Sequence, residues 1–404
     1  MSPVLPFDVI ALIIDIVGEN KDTDLLKELA LVSHSFHQIC IKHLFADVEL
    51  HDVVPEHHLV SSKKGFIKLV KSSPHLVKYI RKLTYEAGHN DDDHLLSPIL
   101  SNFLPTISRL NCLAIDASNF RWSQLDSSLT SAFLHLMSLP TMNHIDLSYI
   151  KNFPLSSLTS SVNLLRLDIF CLQPFKFDFL HHGEEDFFKT VQPETMPKIR
   201  VFHTSGSCLL TKNLLEVKGQ DGQPVFNFMD LRQLSISLVR FEDKRNIQCL
   251  LGKAKLLESL HISVDSGRLS LVGVLSTSAR TLKVLDLIVP LYRYRIPPLA
   301  GLCEELEAMA GHNTLEVLSF EVLLGSYNTE DFVGSAIQKV ENILLKPGWP
   351  ALRQVSFRVK LPVKQHRGNA ELIKALQSLP DKYLSHLPKL ESVAFNYSAY
   401  PVYN

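Results

Sequence analysis

One short figure of apolar and polar positions recurs through most of this chain: an apolar residue, two of any kind, a second apolar residue, one of any kind, a third. It appears as Ile80-Leu83-Tyr85, Leu110-Leu113-Ile115, Met142-Ile145-Leu147, Leu164-Leu167-Ile169, Ile199-Phe202-Thr204 and Leu231-Leu234-Ile236. It continues as Leu257-Leu260-Ile262, Leu282-Leu285-Leu287, Leu315-Leu318-Phe320, Leu352-Val355-Phe357 and Leu390-Val393-Phe395. The closing alternation puts the last two anchors on one face of a short strand. Eleven copies at intervals of 22 to 38 residues predict a repeat array. Helix-like spacing lies between them, at Leu95–Phe103, Leu129–Met137, Leu302–Ala310, Val333–Leu345 and Ala370–Leu379. One strand and one helix per unit cannot bury their own apolar face, so stability must come from stacking.

The first fifty residues follow another pattern. Pro6 suits the first turn of a helix and Asp8 the positive end of its dipole. Val9, Ile10, Leu12, Ile13, Ile14, Ile16 and Val17 then make a helix apolar on more than one face, with Gly18 as its expected stop. Asp22, Thr23 and Asp24 are capping residues ahead of Leu25, Leu26, Leu29 and Val32, and Ser33 can cap a third helix holding Phe36, Ile39, Cys40 and Leu44. Three such helices bury little core alone and call for a partner surface.

Taken in order, Leu5, Pro6, Asp8, Ile13, Leu26, Leu29, Leu31, Val32, Ser33 and Phe36 resemble an F-box, the helical module that plugs into the Skp-type adaptor of cullin-based ubiquitin ligases. The resemblance covers about an eighth of the chain, and Phe36 stands where many members carry Trp. It implies that Leu5, Pro6, Ile13, Leu26, Leu29, Val32 and Phe36 dock the adaptor or shape the docking surface. The remainder resembles leucine-rich repeats without the asparagine or cysteine ladder. Those positions hold Ser118, Ile150, Leu172, Ser207, Val239, Asp265, Pro290, Leu323, Lys360 and Ser398. The fold expected is therefore α/β: a three-helix F-box at 1–50, a connection at 51–74, and at 75–404 an irregular solenoid with a parallel sheet on its concave face and helices outside. A different α/β layering stays open. The function implied is the substrate receptor of an SCF-type ligase, bound through the adaptor to a cullin. The alternative is a repeat-only scaffold whose N-terminal helices cap the array.

Composition narrows this further. Apolar residues are 46% and charged residues 21%, a foldable balance. A formal charge of −1 gives no basic excess for nucleic acid or an anionic membrane. No apolar run approaches the ~20 residues of a membrane span, and no basic lead precedes an apolar run at the N-terminus. The six cysteines have no CxxC spacing and read as small apolar residues of a reducing compartment, cytoplasmic or nuclear. No nucleophile elbow, phosphate loop or zinc-helix motif occurs, so no enzyme, cofactor or metal is expected. His57-His58, His89–His94 and His181–Asp186 read as polar loops.

Target binding is expected on strand positions between the anchors, whose side chains point away from the core. The candidates are His144, Asp146, Arg166, Asp168, His203, Gln233, Ser235, His261, Asp286, Glu321, Gln354 and Arg358, a polar face of both signs. Tyr292, Arg293, Tyr294 and Arg295 form the most distinctive loop, of the residue types that make interface hot spots; packing against a neighbouring repeat is the other reading. Two stretches break the rhythm, Pro174–Pro197 as an insertion and Val217–Val225 as a hairpin turn.

Overall fold

A computed structural model describes residues 6–51, 62–87, 92–117, 121–172, 196–216, 224–239, 241–264, 271–291, 301–324, 330–362, 369–384 and 386–402. The chain divides into two compact units, Met1–Pro197 with Lys218–Val225, and Lys198–Val217 with Phe226–Asn404. Both are mixed α/β with parallel sheets.

The first unit opens with helices α1 (Phe7–Glu19), α2 (Thr23–Ala30) and α3 (His34–Leu44). It continues through β1 (Asp47–Leu50), α4 (Lys63–Ser72), β2 (Lys82–Glu86), α5 (Asp92–Phe103), β3 (Cys112–Asp116), α6 (Ser127–Met137), β4 (His144–Ser148) and β5 (Arg166–Phe170). Strands β1 to β5 pair in parallel in chain order. The second unit holds β6 (Val201–Ser205), α7 (Cys208–Glu216), β7 (Gln233–Leu238), α8 (Phe241–Lys253), β8 (Ser259–Val264), β9 (Val284–Leu291) and α9 (Leu302–Met309). Then come β10 (Val317–Leu324), α10 (Glu330–Leu344), β11 (Gln354–Pro362), α11 (Asn369–Gln377), α12 (Leu379–Tyr383) and β12 (Ala394–Val402), with β6 to β12 again parallel in order. Among the described residues no helix is long and apolar enough to cross a membrane.

The anchors stack as columns. Leu83, Leu113, Ile145 and Leu167 are in register on β2 to β5, as are Tyr85, Ile115, Leu147 and Ile169, and each is at most 1% exposed. In the second unit Leu234, Leu260, Leu285, Leu318 and Val355 form one column, and Ile236, Ile262, Leu287, Phe320 and Phe357 the other. Burial of each such side chain contributes roughly 1.5–3 kcal/mol before the entropy of ordering is counted.

The two residues between first and second anchors have a structural task of their own. Their amides both donate to one carbonyl of the preceding repeat: Arg81 and Lys82 to Ala46, Asn111 and Cys112 to Arg81, Asn143 and His144 to Asn111, Leu165 and Arg166 to Asn143. The second unit repeats the arrangement from Arg232 and Gln233, on Arg200, to Arg353 and Gln354, on Glu316.

Side chains other than a ladder asparagine satisfy the turns. Ser161 Oγ donates to the Met137 carbonyl at 2.7 Å and Thr141 Oγ1 to the Leu110 carbonyl at 2.6 Å. Asn313 Nδ2 donates to the carbonyls of Met309 and Gly348. Two buried glutamates act as acceptors. Glu305 takes the amides of Gly273, Leu275 and Ser276, and Glu341 those of His386 and Leu387, both at 2.9 Å. A buried amide left without an acceptor costs about 1–3 kcal/mol, which explains why such carboxylates are tolerated in the interior.

Four features depart from the sequence expectation. Phe45, Val48 and Leu50 repeat the apolar figure, so β1 is a strand of the sheet inside the stretch assigned to the helical module. Helix α4, capped by Ser62, occupies the stretch assigned to a connection. Gly18 lies inside α1 rather than ending it. In β12 the register is displaced by two residues: Phe395 pairs with Val355, and Tyr397 with Phe357. Leu387 is fully buried beside a short helical turn, and Leu390 is left 36% exposed.

Candidate functional site

Two kinds of surface stand out: an apolar face on α1 to α3 and polar strand faces in each unit. The helices are set by local signals. The Asp22 side chain accepts the Leu25 amide at 3.1 Å and Ser33 Oγ the Phe36 amide at 3.2 Å, capping α2 and α3. Ile14, Leu26, Ile39 and Cys40 form a small core of their own, with Ile10, Ala11, Val17, Leu29, Ala30, Phe36 and Leu44 packed around it. Gly18 lets α1 approach α3 where the His43 ring lies, and His43 Nε2 and Lys42 Nζ reach Asp15 Oδ1 at 2.6 and 2.8 Å. Those contacts, Lys42 first, hold the Asp15 carboxyl below its ordinary range.

That core uses up one side of the helices and leaves the other open. Phe7, Leu12, Ile13 and Ile16 on α1, and Leu31 and Val32 after α2, are all about half or more exposed, Leu31 at 88% and Val32 at 64%. Of the residues singled out for adaptor docking, Pro6, Ile13 and Val32 lie on the open side. Leu26 is buried, and Leu29 and Phe36 pack on the small core, so these three shape the module from within. Leu5 lies outside the described residues. Phe7, Leu12, Ile16 and Leu31 were missed as surface residues, because an all-round apolar helix does not say which face its own core consumes.

On the first unit's strand face, register makes rungs. Asp47, Lys82, Cys112, His144 and Arg166 share one, and Glu49, Thr84, Ala114, Asp146 and Asp168 another. A chain of contacts crosses them. Cys112 Sγ lies 3.1 Å from His144 Nδ1, and His144 Nε2 lies 2.9 Å from Asp168 Oδ2. Arg166 Nε donates to the same oxygen at 2.9 Å. Asp168 is buried, held from two sides. Burial works against charge on His144, but its bonds to Asp168 and Cys112 outweigh it and carry the ring up to about 9. Asp146 is pushed up, by burial first and by the Asp168 charge second. At the edge, burial opposes charge on His51, yet Glu86 at 2.6 Å and Glu49 at 3.1 Å raise it.

The second unit carries a similar mixed network. His261 Nδ1 meets Asp286 Oδ2 at 2.9 Å, and that bond, offset in part by burial, holds Asp286 below its ordinary range. Lys360 Nζ pairs with Glu321 at 2.7 Å, which raises the ammonium, and Arg358 lies 3.7 Å from Asp286 and 4.0 Å from Glu321. Ser235, Ser319 and Ser356 share the rung of His261 and Asp286 and surround the charges with hydroxyls. His203 on β6 stands in register with Ser235.

The structure thus gathers His144, Asp146, Arg166 and Asp168 into one cluster, and His261, Asp286, Glu321 and Arg358 into another. Tyr292, Arg293, Tyr294 and Arg295 lie outside the described residues, as do 57–58, 89–91, 181–186, and most of the insertion and hairpin stretches. Cys112 was missed as part of a polar cluster, since its partner is 32 residues away and only sheet register joins them. Its signal was its repeat position: Cys112 directly precedes the anchor Leu113 as His144 precedes Ile145, which puts both on one rung.

No family model matches the chain, and no curated protein of similar sequence is found.

Proposed function

We propose that this chain is the substrate receptor of an SCF-type cullin-RING ubiquitin ligase, with α1 to α3 as an F-box docking the Skp-type adaptor and the strand faces holding a protein target. The observation that carries this reading is the open apolar face of Phe7, Leu12, Ile13, Ile16, Leu31 and Val32 beside a core the three helices complete on their own. Helices that merely cap a repeat array turn their apolar residues onto it. Here those residues stay uncovered, and an exposed contiguous apolar patch marks an interaction site. The ordered match of Leu5, Pro6, Asp8, Ile13, Leu26, Leu29, Leu31, Val32, Ser33 and Phe36 supports a Skp-type adaptor as the partner.

In this reading the stacked repeats form an irregular leucine-rich solenoid, a non-catalytic scaffold in the cytoplasm or nucleus. The clusters around Asp168 and Asp286 give it a polar surface of both signs, suited to electrostatic choice of a partner. Holding a target near a ubiquitin-charged enzyme raises the local concentration of its lysines. The test is co-purification of the intact chain with a purified Skp-type adaptor, wild type beside Leu5→Ala/Pro6→Ala and Leu31→Asp/Val32→Asp. Binding by wild type that both double variants lose supports the reading; absence of binding by the folded wild-type chain overturns it.

A further inference from the structure

The contacts around Cys112 are those of a thiol with a base and an orienting carboxylate. Sγ is 3.1 Å from His144 Nδ1, the opposite ring nitrogen is 2.9 Å from Asp168, and Arg166 pins Asp168 at 2.9 Å. Nucleophile, base and orienter follow in hydrogen-bond reach, the arrangement that activates a side-chain nucleophile. The four groups sit on three adjacent strands in fixed register, so the geometry belongs to the sheet and not to a loop. Among the described residues no group of three or more His, Cys, Asp and Glu side chains is arranged to hold a metal ion.

We propose that Cys112 is a nucleophilic sulfur, paired with His144 as its proton-donating partner and with Asp168 as positioning residue, whose oxidant is a small peroxide. The surroundings select that class. The amides of Asn111 and Cys112 are both committed to the Arg81 carbonyl, so they offer no oxyanion donors for acyl transfer. Cys112 is only 7% exposed, with the small Ala114 two residues along on the same face, so a peptide backbone cannot reach the sulfur and a reaction partner must be small. In the step, Cys112 reacts as the thiolate held against the protonated His144 ring, and the sulfur attacks one peroxide oxygen. The S–O bond forms and the O–O bond breaks, and the departing hydroxide takes the proton from His144. The products are the Cys112 sulfenic acid and water: sulfur is oxidised by two electrons and peroxide reduced. Oxidation removes the sulfur from its place beside His144, so the cluster on this face changes with it. The inference does not depend on the adaptor reading.

The test treats the intact chain with hydrogen peroxide, traps sulfenic acid with dimedone and quantifies each cysteine by peptide mass spectrometry. Cys249, which is exposed, serves as the internal standard. Cys112 is expected to be labelled at least about tenfold faster than Cys249, and His144→Asn to bring it to the level of Cys249 or below, since a positioned proton donor contributes about 10²–10⁴-fold. Equal or slower labelling of Cys112 in the wild type, or labelling unchanged by His144→Asn, overturns the proposal. Should the variant unfold, both cysteines gain label together, and the wild-type ratio alone decides.

Discussion

Raising the pH from 6 to 9.5 should weaken the first unit through one histidine. His144 titrates near 9 when folded, against 6.5 for a free imidazole. A group whose folded value is raised contributes stability that is complete below the unfolded value and is lost as pH climbs through the folded one. The window is therefore pH 6.5 to 9. A rise of that size corresponds to a ceiling of about 3 kcal/mol, at 1.36 kcal/mol per unit. The side chain is 23% exposed and Asp168 only 4%, so solvent screening removes a minor part. About 2–3 kcal/mol is the expected loss. The assay is urea unfolding of Trp349→Phe protein, which leaves Trp122 as the sole tryptophan. Trp122 is buried against Phe153 at 4.9 Å and Phe133 at 6.3 Å, inside the first unit, and reports on it alone. His144→Gln in the same background removes the titration, so the difference in midpoint between the two proteins should shrink from pH 6 to pH 9.5. Parallel pH profiles for both proteins would refute the reasoning.

Gly18→Ala should loosen the helical module despite a propensity gain of about 1 kcal/mol, because the new methyl meets the His43 ring and must displace it from Asp15; faster hydrogen exchange at α1 amides in the intact chain is the readout. Glu305→Ala should cost about 3 kcal/mol of second-unit stability, since the amides of Gly273, Leu275 and Ser276 lose their acceptor together; thermal unfolding followed by circular dichroism checks it, and a loss under about 1 kcal/mol contradicts it. Leu26→Ala should cost about 2–5 kcal/mol of module stability while Leu31→Ala stays within about 0.5 kcal/mol, because the first residue is buried and the second is 88% exposed; adaptor affinity should fall in both, by different routes that melting curves separate.

The repeating anchors of β2 to β11 were legible because the columns they form are what the sheet buries, and a buried column tolerates no slip. The last strand was not: Leu390, Val393 and Phe395 fit the figure, yet Phe395 and Tyr397 take the column positions, and the first anchor of that register falls on Ser392, which the figure does not flag. β1 was hidden because Phe45 reads equally well as the end of a helix. The acceptor roles of Glu305 and Glu341 leave no local trace: their partners lie 29 to 46 residues away. The charged strand positions were legible one by one, but not as pairs. His144 meets Asp168 two positions along the next strand, and that offset follows from register alone.

Calorimetric titration of the intact chain with a purified Skp-type adaptor bears most directly on the central reading. Phe7, Leu12, Ile13, Ile16, Leu31 and Val32 together expose apolar area equivalent to about three or four full side chains, worth roughly 5–10 kcal/mol before the cost of association. The account predicts one-to-one binding with a negative heat-capacity change, both abolished by Leu31→Asp/Val32→Asp. A folded wild-type chain that gives no binding heat at any temperature and forms no complex with the adaptor would contradict it.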